Sequence, residues 1–272
     1  MTEHVLTHGV LARADQSGAA ALHVEELRLE GFTFVPSGLG DAELESLRQK
    51  LDDVYARQVA ELDGEDALAR CSDVDVARAP LVYDEAFVAV AANPSVMAVV
   101  ERMLGTNFVL VQQNGLLTRP ATDNYQARWH RDLAYQHWVS SEPLAINVLL
   151  ALDEFTLQSG ATFVLPATHH LPEFPSDQYV GRHERVLEAP PGTFLLLDGM
   201  LFHRAGRNVS GRPRRAVNHV IGRPFLGQQF DFSAMLGDRY AGDAFLSRYL
   251  GYRWRPQPDV ASWRAQRMPP SS

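Results

Sequence analysis

The stretch TFLLLDGMLFH, residues 193–203, begins with a run of apolar residues and ends on a histidine. Residues 193–197 follow the turn-forming sequence Pro190-Pro191-Gly192, and a short apolar run after such a turn is typical of a buried β-strand. His203 is therefore expected close to the end of a core strand. A buried strand must pair with other strands, and the surrounding sequence contains further runs that fit this role.

Five further β-type runs surround this strand, separated by turn formers such as Gln158-Ser159-Gly160. Short strands between turns are typical of an antiparallel sandwich or barrel. We expect a mainly β fold with flanking helices, of the double-stranded β-helix type, which is the jelly roll of cupin-like proteins. The five runs cover residues 108–117, 144–152, 162–165, 185–188 and 215–221.

Helical patterns precede the β-rich part. Asp41–Glu61 has its apolar residues on one helical face, and Pro94–Leu104 has a proline at a favoured first position with Gly105 at its end. Both segments are predicted as surface helices that pack by their apolar faces. Residues 26–36 are predicted as the first strand, from the apolar residues Leu27, Leu29, Phe32 and Phe34.

Composition indicates one globular domain over residues 1–272, with about residues 1–25 and 260–272 loosely ordered. The 272 residues are 46% hydrophobic and 21% charged, which excludes a disordered chain. The formal net charge of -8 lacks the basic surplus typical of nucleic-acid binding. No export signal or membrane span is evident, so a cytoplasmic protein without a membrane partner is expected.

Two histidines and one aspartate are candidate metal ligands. His130 and Asp132 are two positions apart, so they point to the same side of an extended strand. A jelly roll brings distant strand ends such as that of His203 to the same mouth. Two imidazoles and one carboxylate are the ligand set of non-haem Fe(II) oxygenases, which leaves coordination positions open, whereas a structural zinc site has four protein ligands.

An isolated His-x-Asp is usually a surface hydrogen-bonding pair, so the triad needs support from its surroundings. Arg214 supplies it, because it lies beyond His203 at the head of the next β-type run. A guanidinium there would bind the far end of a dicarboxylate whose near end chelates iron. Arg212 and Arg215 compete for this role, but Arg212 precedes a proline in the turn and Arg215 alternates to the opposite face.

These motifs resemble the phytanoyl-CoA dioxygenase family of Fe(II)- and 2-oxoglutarate-dependent oxygenases, and the chain is also similar to ectoine hydroxylases. The resemblance covers most of residues 108–221. The residues that carry it are Trp129-His130-Arg131-Asp132, Ser159-Gly160-Ala161-Thr162-Phe163-Val164-Leu165-Pro166-Ala167-Thr168-His169, Pro191-Gly192-Thr193 and the stretch from His203 to Arg214.

The resemblance implies that His130, Asp132 and His203 bind Fe(II), with 2-oxoglutarate and O2 as co-substrates. It implies that Arg214 binds the C5 carboxylate of 2-oxoglutarate and that Gln113 helps to hold this co-substrate. Related halogenases have a small residue in place of the aspartate, so Asp132 implies hydroxylation or another outcome of hydrogen abstraction. Ala205 departs from the family, since several relatives have a serine there that contacts the same carboxylate, and another donor must replace it.

The substrate is expected to be a small-molecule metabolite. Tyr135, His137 and Trp138 follow the metal pair and would line the mouth of the barrel, although they would equally well pack beneath a lid. Asn147, on an otherwise apolar strand, is a further candidate for substrate binding. The polar loop over residues 168–185 is predicted to cover the site.

Two other functions remain open at the level of sequence. A cupin-like isomerase or hydrolase would use the metal as a Lewis acid, but this leaves Arg214 without a role. A non-catalytic binding module with a relic metal site is disfavoured because all three ligands and the arginine are present together. The sequence does not determine the oligomeric state.

Overall fold

A computed structural model describes residue 10 and residues 17–120, 125–133 and 138–268. Tyr135 and His137 lie outside the described residues. Within them the chain forms two facing β-sheets, with helices on the outer side of the larger one. No helix among the described residues has the length and apolar character needed to cross a membrane.

Nine strands are described. The larger sheet has six strands in the order β1-β7-β4-β9-β3-β2, and the smaller has three in the order β6-β5-β8. All their pairings are antiparallel, as in a jelly roll. The strands are β1 Phe32–Pro36, β2 Val76–Arg78, β3 Val109–Thr118, β4 Ala145–Ala151, β5 Thr162–Val164, β6 Arg185–Leu187, β7 Thr193–Asp198, β8 His203–Arg204 and β9 Arg214–Gly222.

The helices lie mainly before β3 and after β9. Short 3-10 turns cover Tyr125–Ala127, Thr168–His170 and Gly237–Tyr240. The α-helices are α1 Ala21–Leu29, α2 Asp41–Glu61, α3 Glu65–Arg70, α4 Pro80–Tyr83, α5 Ala86–Ala91, α6 Pro94–Leu104, α7 Asp177–His183, α8 Phe232–Leu236, α9 Leu246–Tyr249 and α10 Val260–Ala265.

The expected jelly roll is confirmed, and all six β-type runs form strands whose ends differ from the predicted ones by at most one residue. Helices α2 and α6 have the predicted bounds. The strand predicted over residues 26–36 is wrong in its first half, because Leu27 and Leu29 belong to α1. Leu27 is buried on one side of this helix with Val24, while Leu29 is exposed, so their alternation reflects no strand. Gly31, with φ of +85°, separates the helix from β1.

Two apolar cores lie on the two faces of the larger sheet. The core between the sheets includes Leu116, Leu149, Leu195 and Ala216. The larger core packs the opposite face against the helices and includes Leu51, Phe87 and Val217, among others. Because successive strand residues alternate between these faces, each position on β3, β4 and β9 points either to the interior of the jelly roll or to the helices.

Gln113 points to the helices, contrary to its predicted role in holding the co-substrate. Its side chain is fully buried, accepts a hydrogen bond from the backbone N–H of Leu81 (2.7 Å) and donates one to the carbonyl of Phe87 (2.8 Å). The N–H of Leu81 belongs to the first turn of α4, where no carbonyl of the same helix can accept it. Gln113 therefore joins α4 and α5 to β3, and its neighbours Gln112 and Asn114 are the ones that face the interior.

The Gln113→Ala variant is expected to lose about 3 kcal/mol of unfolding free energy, because a buried N–H and a buried carbonyl lose their partners. Its KM for 2-oxoglutarate should not change. Urea denaturation measures the first quantity and steady-state kinetics the second. Gln112→Ala is the matched control on the other face, with an expected change in stability below about 1 kcal/mol. A raised KM at unchanged stability in Gln113→Ala would restore the co-substrate role.

Candidate metal centre

An antiparallel backbone pair joins the two segments that carry the candidate ligands. The N–H of His130 donates to the carbonyl of His203 (3.0 Å), and the N–H of His203 donates to the carbonyl of His130 (3.1 Å). His203 also pairs with Val164 of β5, so the smaller sheet positions both histidines. His130 forms an isolated bridge, and Asp132 lies in a bend rather than in the extended strand that was predicted.

The three candidate ligands converge. One donor atom from each of His130, Asp132 and His203 lies within 4.8 Å of those of the other two. Nε2 of His203 is 3.6 Å from Oδ1 of Asp132, and the two imidazole rings are 4.4 Å apart between centroids. This donor set fits Fe(II), which accepts two imidazoles and one carboxylate and keeps its other positions for exchangeable ligands.

The protonation pattern of both imidazoles suits a metal. Nδ1 of His130 lies 2.7 Å from the carbonyl of Arg128, and Nδ1 of His203 lies 3.0 Å from the carbonyl of Leu201. Because a carbonyl only accepts, each Nδ1 carries the hydrogen and each Nε2 keeps its lone pair for a metal. Burial, and then the neighbouring His203, lower the pKa of His130, which favours the neutral form that binds metal.

Asn147 orients the aspartate. Its amide nitrogen donates to Oδ2 of Asp132 at 2.8 Å, while Oδ1 of the same carboxylate faces His203. Asn147 is buried on β4 and is absent from the described lining of the cavity. Its position therefore differs from the substrate-contacting one that was predicted. A hydrogen bond to the second carboxylate oxygen leaves Oδ1 as the atom offered to a metal.

Arg131, between the two ligands of the His-x-Asp segment, is buried and ties that segment to its surroundings. Its guanidinium donates to the carbonyls of Met200 (2.7 Å), Thr168 (3.1 Å) and Leu171, and it lies 3.8 Å from the centroid of the Phe202 ring. Met200 lies in the segment that leads into His203, and Thr168 and Leu171 lie in the segment after β5, so Arg131 joins both to the His-x-Asp segment. Sequence reasoning missed this residue, although an arginine between two ligands of a buried site was a usable signal.

Arg214 is a buried cation to which no carboxylate of the described residues is bonded. It is 3% exposed, donates to the carbonyl of Gly160 (2.9 Å) and to the hydroxyl of Thr118 (2.7 Å), and lies over the ring of Phe155. Its Nε has no hydrogen-bond partner among the described residues. Burial lowers the pKa of Arg214 to about 10. A buried positive charge is costly unless an anion pairs with it, so this position fits the carboxylate of a co-substrate.

The residues around Arg214 include a hydroxyl that can replace the one missing at Ala205, and the competing arginines Arg212 and Arg215 lie elsewhere. The hydroxyl oxygen of Thr118 accepts a hydrogen bond from Arg214, so its hydroxyl hydrogen remains available to a carboxylate. Thr118 can therefore provide the hydroxyl contact that several relatives make with a serine at the position of Ala205. Arg215 points to the opposite face, as strand alternation predicted, and pairs with Asp52 and Asp153. Arg212 is exposed in the turn.

The carbonyl of Gly160, which accepts a hydrogen bond from Arg214, lies where two chain segments approach each other closely. Gly160 has a φ of +83°, and a Cβ on it would lie 2.7 Å from the carbonyl oxygen of Gly206. Only glycine avoids both the strain and the clash. The loop that follows His203 therefore packs directly on the turn that precedes β5.

A cavity of roughly 580 Å³ adjoins the metal ligands. Its lining is polar, and Oδ1 of Asn218, on the same face of β9 as Arg214, is buried and has no hydrogen-bond partner in the part of the chain that the structure describes. Apart from Trp129 its described lining consists of polar or charged side chains. The lining includes Arg78, Gln112, Asn114, Gln126, Arg128, Trp129, His130, Arg131, Asp132, Asn218 and Gln229.

Other residues predicted to contact or cover the substrate are absent from the described lining of this cavity. Trp138 is 51% exposed and is not among its described lining residues. The predicted lid begins at the carbonyls bound by Arg131, contains α7 and packs Phe174 against Trp129 and Phe202. None of the residues 168–185 belongs to the described lining.

Comparison with known proteins identifies relatives of this chain. A curated relative from Mycobacterium tuberculosis, an uncharacterized protein, is 32% identical over 219 residues, covering 79% of each chain. L-proline trans-4-hydroxylase of Streptomyces griseoviridis is 26% identical over 246 residues, which span 72% of this chain and 88% of the hydroxylase.

Solved structures of non-haem enzymes have the same fold. The non-haem monooxygenase ThoJ, in a nickel complex, has a TM-score of 0.58 at 20% identity and covers 83% of this chain and 96% of its own. The epimerase SnoN, in complex with Fe3+, alpha-ketoglutarate and nogalamycin RO, has a TM-score of 0.57 at 18% identity over 76% of this chain and 84% of its own.

The family assignment rests on the sequence match. A family model described as phytanoyl-CoA dioxygenase matches residues 27–216, a range that begins in the last turn of α1 and includes both ligand segments and Arg214. Iron and 2-oxoglutarate are the cofactors of this family, and the His-Asp-His triad and the buried arginine fit them. The chain belongs to the phytanoyl-CoA dioxygenase family of Fe(II)- and 2-oxoglutarate-dependent oxygenases.

Proposed function

We propose that this chain hydroxylates a C–H bond of a small-molecule metabolite while 2-oxoglutarate is converted to succinate and CO2. One atom of O2 enters the product and the other enters succinate. The observation that carries the proposal is that one jelly roll contains a convergent His-Asp-His triad and, on an inward-facing position of β9, a buried Arg214 with no carboxylate bonded to it among the described residues. A metal site that acted only as a Lewis acid would have no use for such an arginine.

The ligand residues have distinct parts in this reaction. His130, Asp132 and His203 hold Fe(II), which with 2-oxoglutarate and O2 supplies the oxidant for hydrogen abstraction. Asn147 keeps one oxygen of Asp132 directed at His203. The presence of Asp132 favours hydroxylation over halogenation, since related halogenases lack this carboxylate. The name of the proline hydroxylase among the relatives supports the same outcome.

The co-substrate residues act on the far carboxylate of 2-oxoglutarate. Arg214 pairs with it through Nε, and Thr118 donates its hydroxyl hydrogen while accepting from Arg214. The small side chain of Ala216 lies between Arg214 and Asn218 on the same face of β9, which leaves room for the carbon chain. Trp138, Tyr135 and His137 stay predictions for substrate contact.

Anaerobic mixing with Fe(II) and 2-oxoglutarate is expected to produce a visible metal-to-ligand charge-transfer band, and admission of air is expected to produce succinate. His203→Ala should weaken Fe(II) binding by at least about 100-fold, because it removes a ligand rather than a residue that supports one. His183→Ala, which changes an exposed histidine of α7, is the control and should retain the band. Absence of both signals together with zinc-dependent turnover would instead favour the Lewis-acid enzyme.

Thr118→Val is expected to raise the KM for 2-oxoglutarate about tenfold, the size of one hydrogen bond to a charged group, with a smaller effect on kcat. The affinity for Fe(II), measured by anaerobic titration, should stay the same, because Thr118 does not touch the ligands. Addition of Ala205→Ser to Thr118→Val should lower the KM again by restoring a hydroxyl near the carboxylate. An unchanged KM in Thr118→Val would show that Arg214 binds the co-substrate without it.

A further inference from the structure

We infer that the substrate of this chain carries an anionic oxygen group, a carboxylate or a phosphate, and that Arg128 binds this group at the edge of the metal cavity. The inference rests on the proposed function, because it concerns the substrate of the same site. It arises from three features of the cavity: the position of Arg128, the balance of charge around the metal, and the polar character of the walls.

Arg128 lies beside the metal centre and its side chain has no acidic partner. Its backbone carbonyl accepts the hydrogen of His130 Nδ1, so the residue is held directly next to a ligand. Its side chain is exposed and lines the cavity. No salt bridge within the described part of the chain involves it. Arg78 on the same cavity differs, since it forms a two-pronged ion pair with Asp73.

When Fe(II) and 2-oxoglutarate are bound, no negative charge in the described part of the site balances the positive charge of Arg128. The two positive charges of Fe(II) and the one on Arg214 balance the carboxylate of Asp132 and the two carboxylates of 2-oxoglutarate. The ion pair with Asp73 neutralises Arg78. Arg131, the buried arginine on the same cavity, directs its guanidinium to backbone carbonyls and interacts electrostatically with Asp198. Asp132 is the acidic residue among the described lining residues, and it belongs to the metal site. The positive charge of Arg128 therefore remains for the substrate, and a guanidinium binds a carboxylate or phosphate with two parallel hydrogen bonds.

The walls of the cavity favour a compact, hydrogen-bonding molecule. Gln112, Asn218 and Gln229 line it with amide groups, and Trp129 supplies its aromatic surface. Such walls offer many donors and acceptors but little apolar area for a long acyl chain. Together with Arg128 they match a small hydroxy acid, amino acid or phosphorylated metabolite.

The test is a titration of the anaerobic complex of the full chain with Fe(II) and saturating 2-oxoglutarate. The probes are amino acids and hydroxy acids, each compared with its neutral carboxamide, and glycerol and hexose phosphates, each compared with the parent alcohol. Binding is measured as perturbation of the charge-transfer band. In the unaltered chain at least one anionic probe should bind about tenfold more tightly than its neutral counterpart, and added salt should weaken its binding.

Arg128→Gln should remove this preference by lowering the affinity for the anionic probe about tenfold, while the affinity for the neutral counterpart stays the same. Arg128→Lys keeps the positive charge but loses the paired N–H donors of the guanidinium. Its affinity for the anionic probe should therefore lie between that of the unaltered chain and that of Arg128→Gln. Arg207→Gln, which removes an exposed arginine outside the described cavity lining, is the matched control and should behave as the unaltered chain.

The outcomes separate the two proposals. Loss of the charge-transfer band in the unaltered chain would overturn the proposed function itself. A normal band with no preference for anionic probes, or a preference that survives Arg128→Gln or falls equally in Arg207→Gln, would overturn only the role of Arg128. The comparison of the acid and phosphate sets identifies which anion the substrate carries.

Discussion

The pair of backbone hydrogen bonds between His130 and His203 is the contact on which the site depends. These residues are far apart in the chain, and each donates to the carbonyl of the other. A shift of this register by one residue would turn the side chains to the other side, and the three donors would no longer meet. The pairing of His203 with Val164 extends the same constraint into the smaller sheet. The metal centre is thus a consequence of strand register.

Two buried arginines near the site have different roles because their partners differ. Arg131 lies on the Phe202 ring and donates hydrogen bonds to backbone carbonyls, so its guanidinium is bound by the protein itself. Arg214 has a carbonyl, a hydroxyl and an aromatic ring around it, but its Nε has no described partner and no carboxylate is bonded to it. Since a buried guanidinium without an anion is costly, the contacts of the first arginine fit a structural role and those of the second fit the proposed binding of a negatively charged ligand.

Most strands and the two long early helices followed from local patterns, because apolar periodicity reports burial directly. The exceptions have physical reasons. Leu27 and Leu29 alternate like strand residues, yet one is buried and the other exposed on the same helix. Gln113 was assigned to the co-substrate because of the resemblance to the family, and no local pattern tested that role. The structure turns it towards the helices, where its amide binds Leu81 and Phe87.

The sequence by itself determined the class of fold, the three candidate metal ligands that the structure brings together, and the selection of Arg214 over its neighbours as the inward-facing arginine. These depend on residue type and on the alternation of a strand, which are local properties. Only the tertiary structure decided that Asn147 binds Asp132, that Thr118 contacts Arg214, and that Arg131 holds the ligand segments together. Each of these contacts joins segments from different strands or loops, and no local pattern records which distant groups will meet when two sheets pack face to face.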